Sequence, residues 1–217
     1  MKINLSKQTA ILVAATAVFV LAILVVKNLN SNNNSIGVNQ GVQQTQSGDS
    51  MHGVSQPTDS TVFDSLVGKK APDFNLISYD GKSYSLESLK GKNVVLFFSE
   101  GLMCYPACWN QIAAFGTDGR FNSGNTIALT IVNDNRNDWQ NAMQQMPNLA
   151  KATILFDTDR TVSKTYGVLN LPSSMHRGQF PGHSYVIIDK NGIVGYVLDD
   201  PNMAIGNDNL ITQISKF

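Results

Sequence analysis

The apolar residues of this chain fall into three regimes. Residues 10–26 are apolar almost without a break, interrupted only by Thr16. Between Asn28 and about Ser60 they thin to scattered valines among Asn, Gln, Ser, Gly and Thr. Past Val62 they return as short runs alternating with amphipathic stretches, the pattern of an α/β domain in which helices cover a sheet. In that third regime residues 74–77 and 83–84 predict a hairpin turning on Asp80-Gly81, and Ser85 is placed to cap a short helix over 86–89. The run 94–98 is short, continuous and rich in β-branched and aromatic residues. It predicts a buried central strand, with 106–115 as the helix behind it and Pro106 in the helix's opening turn. Further on, 126–132 and 153–156 predict strands, 138–146 and 161–166 helices, 185–188 and 193–197 a hairpin on Asp189-Lys190-Asn191-Gly192, and 209–217 a closing helix. The chain shows no internal repeat.

The first two regimes predict placement rather than chemistry. As a helix, residues 10–26 span about 25 Å, somewhat less than a roughly 30 Å hydrocarbon core, so flanking residues must help. The run ends in Val25-Val26-Lys27-Asn28 with no small-x-small cleavage site, so residues 1–27 are expected to form an uncleaved transmembrane helix. Lys2, Lys7 and the amino terminus outweigh Lys27, which puts the N-terminus in the cytoplasm and the rest of the chain outside. Residues 28–61 lack the apolar surface to offset ordering entropy and read as a flexible tether in which His52 has no role; 62–217 is the folded domain. Lys+Arg and Asp+Glu both number 16. That balance leaves no electrostatic footprint for a nucleic acid.

The chain has two cysteines, Cys104 and Cys108, and both follow the buried strand directly. There the unpaired amides and dipole of a helix N-terminus favour thiolate over thiol, the form that attacks disulfides and peroxides or binds soft metals. Residues four apart on one helical face lie about 6 Å apart at Cα, within reach of a disulfide. A structural staple is the plain alternative. A loop this short removes only roughly 2 kcal/mol of unfolded-chain entropy, however, and a stabilising bond gains more by linking distant elements.

Six ordered segments carry a family resemblance: Gly68-Lys69-Lys70-Ala71-Pro72-Asp73-Phe74-Asn75-Leu76; Asp80-Gly81-Lys82; the stretch from Ser85 to Lys92; the strand at 94–98; Phe156-Asp157-Thr158-Asp159 with Lys164-Thr165-Tyr166-Gly167-Val168; and the stretch from Tyr185 to Gly192. Together they resemble the AhpC/TSA and redoxin group of thioredoxin-fold proteins. The resemblance implies a thioredoxin-like α/β fold, a central mixed sheet flanked by helices with an N-terminal β-hairpin extension, and thiol redox chemistry. Peroxiredoxins of this group show Pro-x-x-x-Thr/Ser-x-x-Cys after the strand and an Arg six residues before the Asp of the later strand. Here the Pro position near Glu100 is not Pro, Cys104 stands where the Thr would be, Cys108 comes one residue late, and His183 occupies the Arg position, with Arg177 nearby in sequence. Redoxins with Cys-x-x-Cys after Glu-Gly match residues 97–103 better, one residue being inserted here.

The expectation is therefore a membrane-anchored, extracytoplasmic thiol–disulfide oxidoreductase without a cofactor. Cys104, nearer solvent, is the nucleophile and Cys108 resolves the mixed disulfide. Glu100, Pro106, Trp109 and His183 are the supporting candidates: Glu100 as a proton relay or a solvated loop carboxylate, Trp109 with Tyr105 as site cover or core, and His183 as a neighbour of the cysteines or a loop imidazole. His176 is expected in solvent. Substrates would be protein or small-molecule disulfides and thiols, with an external thiol electron donor. Two alternatives stand beside this reading. One is a thiol peroxidase using Cys108. The other follows a resemblance to Sco-type copper-assembly proteins, in which Cys104, Cys108 and His183 would hold copper, with Met103 a further soft candidate.

Overall fold

The run at 94–98 can be apolar throughout because both of its faces are covered. It forms the centre of β3 (Asn93–Ser99), every residue of which is buried. The other strands are β1 (Asn75–Ser78), β2 (Ser83–Ser85), β4 (Thr126–Val132), β5 (Thr153–Phe156), β6 (His183–Ile188) and β7 (Val194–Asp199). They build one seven-stranded sheet in the order β2-β1-β5-β4-β3-β6-β7. β3, β4 and β5 are mutually parallel, and β6, β7 and the β1–β2 hairpin join antiparallel. Among the described residues, five helices pack on the sheet: α1 (Thr61–Asp64), α2 (Ala107–Thr117), α3 (Trp139–Gln145), α4 (Thr161–Thr165) and α5 (Asn207–Ile214). Along β3, Val94, Leu96 and Phe98 join a core with Phe63 of α1 and Val162 of α4. Val95 and Phe97 enter the opposite core with Ile112 of α2, Trp139 of α3 and Leu210 of α5. Each such side chain contributes about 1.5–3 kcal/mol on burial, so two-sided coverage fixes β3 in the middle.

This computed structural model describes residues 56–217. The expected transmembrane helix over 1–27, and the tether as far as residue 55 including His52, lie outside the described residues. Among the described residues no helix is long and apolar enough to cross a membrane. Contacts with the folded body begin ahead of position 62: the Gln56 carbonyl accepts from Arg177 Nε at 2.8 Å, and Asp59 N–H donates to the Asn170 carbonyl at 2.9 Å.

The mixed sheet flanked by helices is the one the resemblance implies, and the hairpin turns on Asp80-Gly81 as the pattern predicts. Gly81 sits there at φ +83°, a conformation glycine adopts without steric cost. The hairpin extends the same sheet by pairing β1 with β5. Four differences have local causes. Residues 87–89 close into a 3₁₀ turn, with Ser85 and Ser88 each accepting from the other's amide at 3.2 Å. Residues 136–138 are likewise 3₁₀ and lead into α3, which stops ahead of Pro147. Pro106 caps α2 rather than sitting inside it. β6 starts two residues earlier than predicted, because Ser99 and His183 extend its register with β3.

Candidate active site

The chain leaves β3 through a turn built to aim Cys104. Ser99 Oγ accepts from the Gly101 amide at 3.0 Å, and Gly101 reverses the path at φ +66°. Its Cα backs onto the Asp134 carboxylate so closely that no side chain fits. Asp134 Oδ2 accepts from Leu102 N–H and from Trp139 Nε1–H, each at 3.1 Å, which fastens the 3₁₀ turn Gly101–Met103 to α3. Burial pushes the Asp134 carboxyl above its ordinary value, with the two donors opposing. The Tyr105–Pro106 peptide is cis, and α2 follows. The Cys108 amide donates to the Cys104 carbonyl at 3.0 Å, closing the first turn. The two Cα atoms are 5.3 Å apart and the sulfurs are bonded to each other. Cys104 is 8% exposed and Cys108 0%.

Behind Cys108 lies a polar chain inside the apolar layer. His183 Nδ1 is 3.5 Å from Cys108 Sγ, and its Nε2 is 2.7 Å from Tyr185 Oη and 3.3 Å from the Ala204 carbonyl. Tyr185 Oη is 3.0 Å from Gln111 Oε1, which also accepts from Gly206 N–H at 2.7 Å. Gln111 Nε2 donates to Asn207 Oδ1 at 2.8 Å, and Asn207 Nδ2 reaches the Ala114 carbonyl and Asp118 Oδ2. Burial lowers His183 to a pKa of about 4, outweighing Asp200, the Ala204 carbonyl and Asp199, so the ring is neutral near pH 7. Burial raises the Tyr185 phenol, which keeps its proton. Phe97 stacks on Tyr185 at 4.8 Å and meets His183 edge-on at 4.7 Å, packing both rings in place.

Two loops pack against His183 and Cys104. Ser173 Oγ accepts from His183 N–H at 2.7 Å and is held by Asp199, whose carboxylate also takes Ser184 Oγ–H. Asp200 accepts from the amides of Asn202 and Ala204 at 3.0 Å each. That turn delivers the Ala204 carbonyl to His183 and Met203 Sδ to within 3.9 Å of Cys104 Sγ.

Of the candidate residues, Cys104, Cys108 and His183 come together, with one ligating atom from each within 4.8 Å of the others. In the oxidised pair no free thiolate remains for a soft ion, and the chemistry of this state is that of a disulfide. Pro106 shapes the turn. Trp109 is core, 5% exposed, with its ring edge-on to Tyr105 at 5.0 Å. Glu100 is not a solvated loop carboxylate: it is 2% exposed, and its Oε1 accepts from the amides of Met175 and His176 at 2.6 and 3.3 Å. His176 is only partly in solvent, its Nδ1 lying 3.5 Å from Glu100 Oε2. The Arg177 guanidinium is committed to the Gln56 and Ser174 carbonyls rather than to the sulfurs. Met103 points outward at 54% exposed, and the methionine beside the sulfurs is Met203. Sequence reasoning missed Tyr185, Gln111 and Met203. Strand periodicity could have found the first, two residues from His183 on the same face; Gln111 stands as a polar residue one turn after Cys108 in an apolar stripe. Nothing local marks Met203.

The strand–turn–helix around the cysteines lies inside the stretch 67–197 that matches the model of the AhpC/TSA family. The chain belongs to that family. Among similar proteins, the chloroplastic peroxiredoxin Q of Oryza sativa subsp. japonica is 30% identical over 155 residues, 67% of this chain and 66% of its own. That of Triticum aestivum is 32% identical over the same coverage. The matched stretch thus spans just under two thirds of these relatives. Among solved structures, the mitochondrial 2-Cys peroxiredoxin of Plasmodium falciparum superposes with a TM-score of 0.57 at 26% identity, covering 70% of this chain and 94% of that one. Peroxidoxin BcpB of Mycobacterium tuberculosis gives 0.57 at 20% identity, covering 70% and 97%.

Proposed function

We propose that this AhpC/TSA-family chain is a thiol–disulfide oxidoreductase that cycles Cys104 and Cys108 between dithiol and disulfide. One observation carries the reading: the bonded pair sits at the β3–α2 switch, Cys104 keeping 8% of its surface exposed and Cys108 none, with Cys108 against a neutral imidazole. In the reduced protein the Cys104 thiolate attacks one sulfur of a substrate disulfide and expels the other as a thiolate. The Cys108 thiolate then attacks the Cys104 sulfur, forming the intramolecular bond and releasing the second substrate thiol. An external dithiol restores the pair by the reverse sequence. The apolar run at 10–26, which ends without a small-x-small site, and the charge bias around it support a domain tethered outside the cytoplasm.

A second reading, hydroperoxide reduction, is favoured by the peroxiredoxin names of the relatives. The resemblance puts this step on Cys108, but Cys108 has no exposed surface, so here the Cys104 thiolate would take one peroxide oxygen as a sulfenic acid, releasing an alcohol or water, and Cys108 would displace that oxygen as hydroxide. The site's own chemistry favours disulfide exchange, because the imidazole beside the sulfurs is uncharged and Arg177 is engaged elsewhere. The experiment measures turnover of insulin disulfides and of hydrogen peroxide by the same preparation, with dithiothreitol as reductant. Disulfide turnover lost in both Cys104→Ser and Cys108→Ser is the expected result. Peroxide turnover that outpaces disulfide turnover would promote the second reading. Full activity in both single variants would remove this pair as the source of either.

A further inference from the structure

Each hydrogen bond in the buried chain behind Cys108 has only one possible direction. The Ala114 carbonyl and Asp118 carboxylate can only accept, so Asn207 presents Nδ2 to them and Oδ1 to Gln111. The Gly206 amide can only donate, so the Gln111 atom that meets it is Oε1. Both ends therefore give Gln111 the same orientation, independently of how its amide was assigned. Its Oε1 must then accept from the Tyr185 hydroxyl, whose single proton is committed there. Tyr185 Oη is left to accept, and its remaining neighbour is His183 Nε2 at 2.7 Å, with the Ala204 carbonyl at 3.3 Å as a second acceptor on the same nitrogen. Two acceptors facing Nε2 require it to carry the proton. Nδ1 is then bare, and it faces Cys108 Sγ at 3.5 Å.

From this geometry we propose that His183 Nδ1 is the base that takes the Cys108 thiol proton in the disulfide-closing step, and that Tyr185 and Gln111 are positioning residues fixing the tautomer that frees it. The inference rests on the thiol–disulfide reading above. In the mixed-disulfide state Cys104 is bonded to the substrate sulfur and Cys108 is a thiol at a position with no exposed surface, with His183 Nδ1 as its polar neighbour. The proton moves from Cys108 Sγ to His183 Nδ1, the sulfur's electron pair forms the bond to Cys104, and the Cys104–substrate bond breaks. The departing substrate thiolate takes the proton from Nδ1, and the imidazole returns to neutrality. The titratable groups around His183 are Cys104 and Cys108 before and on α2, Tyr185 on β6, and Asp199 and Asp200 at the end of β7; Glu100 is turned toward the amides of 175 and 176. Neither aspartate carboxylate is hydrogen bonded to the ring: Asp199 holds Ser173 and Ser184, and Asp200 holds the amides of 202 and 204.

The test is stopped-flow reaction of the reduced full chain with excess 5,5′-dithiobis(2-nitrobenzoate). The chain has two cysteines, so the first nitrothiobenzoate reports attack by Cys104 and the second reports closure by Cys108. The wild-type second phase is expected to be nearly flat between about pH 6 and 8, because the base and not the thiol's own ionisation sets it. In His183→Gln it should be about a hundredfold slower at pH 6 and rise about tenfold per pH unit toward the ordinary cysteine value of about 8.5, with the first phase altered less than about threefold. Tyr185→Phe keeps the fold's shape and removes one acceptor at Nε2. It should keep the flat profile at a rate about three- to tenfold lower, the share of bare Nδ1 having fallen. The ring nitrogens of His183, one of three histidines in the chain, report the tautomer directly by long-range ¹H–¹⁵N spectroscopy, with Nε2–H expected. An unchanged second phase and pH profile in His183→Gln, or an Nδ1–H tautomer, overturns this proposal alone. A wild-type protein that stops after one equivalent has no closing step, which overturns the thiol–disulfide reading together with it.

Discussion

Asp134 holds the active-site turn, and its replacement should separate two effects that usually travel together. One carboxylate oxygen takes both the Leu102 amide and the indole N–H of Trp139, a side chain with no exposed surface. Asp134→Ala removes the acceptor and leaves two donors without partners. A hydrogen bond to a charged group is worth about 1.5–3 kcal/mol, and the loss is offset in part because a desolvated charge disappears as well, so the net cost is about 2–4 kcal/mol. Asp134→Asn keeps an oxygen for both donors and carries no charge, and should stay within about 1 kcal/mol of wild type. The pH dependence supplies the sign. With its pKa raised in the folded state, wild-type Asp134 binds its proton more readily folded than unfolded. Wild-type stability therefore gains on Asp134→Asn as pH falls through the folded value toward 3.8. Chemical denaturation of the oxidised protein, followed by tryptophan fluorescence at several pH values, measures all three proteins. Equal losses in the Ala and Asn variants at pH 7 would refute the account of this turn.

Three further outcomes follow from the same geometry. His183 titrates at about 4 in the folded protein against 6.5 for the free side chain, so the unfolded chain binds the extra proton between those values. The His183 contribution to stability is full above pH 6.5 and falls by about 3 kcal/mol as pH drops to 4, and the stability difference from His183→Gln should shrink over that window. Gly182→Ala would drive a Cβ into the backbone and hydroxyl of Ser173, the residue that holds the His183 amide, and should cost about 1–3 kcal/mol in denaturation midpoints. Exposure of the Cys108→Ser variant to a disulfide substrate should trap a mixed disulfide at Cys104, seen as a mass adduct on the peptide carrying residue 104; an adduct formed only in Cys104→Ser would reverse the two roles.

How much of this could be read in advance depends on where each signal lies in the chain. β3 was legible because two-sided burial leaves a continuous apolar run, and the cysteines were legible because the helix N-terminus after that run is a known place for thiol chemistry. The 3₁₀ turns were not, since three-residue elements carry no periodicity. Glu100 reads as a loop carboxylate because its partners are backbone amides 75 and 76 residues away, and amides leave no mark on composition. Met203 reaches Cys104 from 99 residues away through a turn held by Asp200. The Tyr185–Gln111–Asn207 chain joins a strand, a helix and a helix start, and only the His183–Tyr185 step of it has a local signature.

On this mechanism the Cys104–Cys108 bond is made and broken in service. The most direct measurement is its reduction potential, from equilibration of the full chain with glutathione buffers, alkylation of free thiols and mass analysis of the peptide that holds both cysteines. A single two-electron transition between about −270 and −120 mV, the range of thiol oxidoreductases, is the expected result. A pair that stays oxidised below about −300 mV is a structural disulfide and would contradict the account.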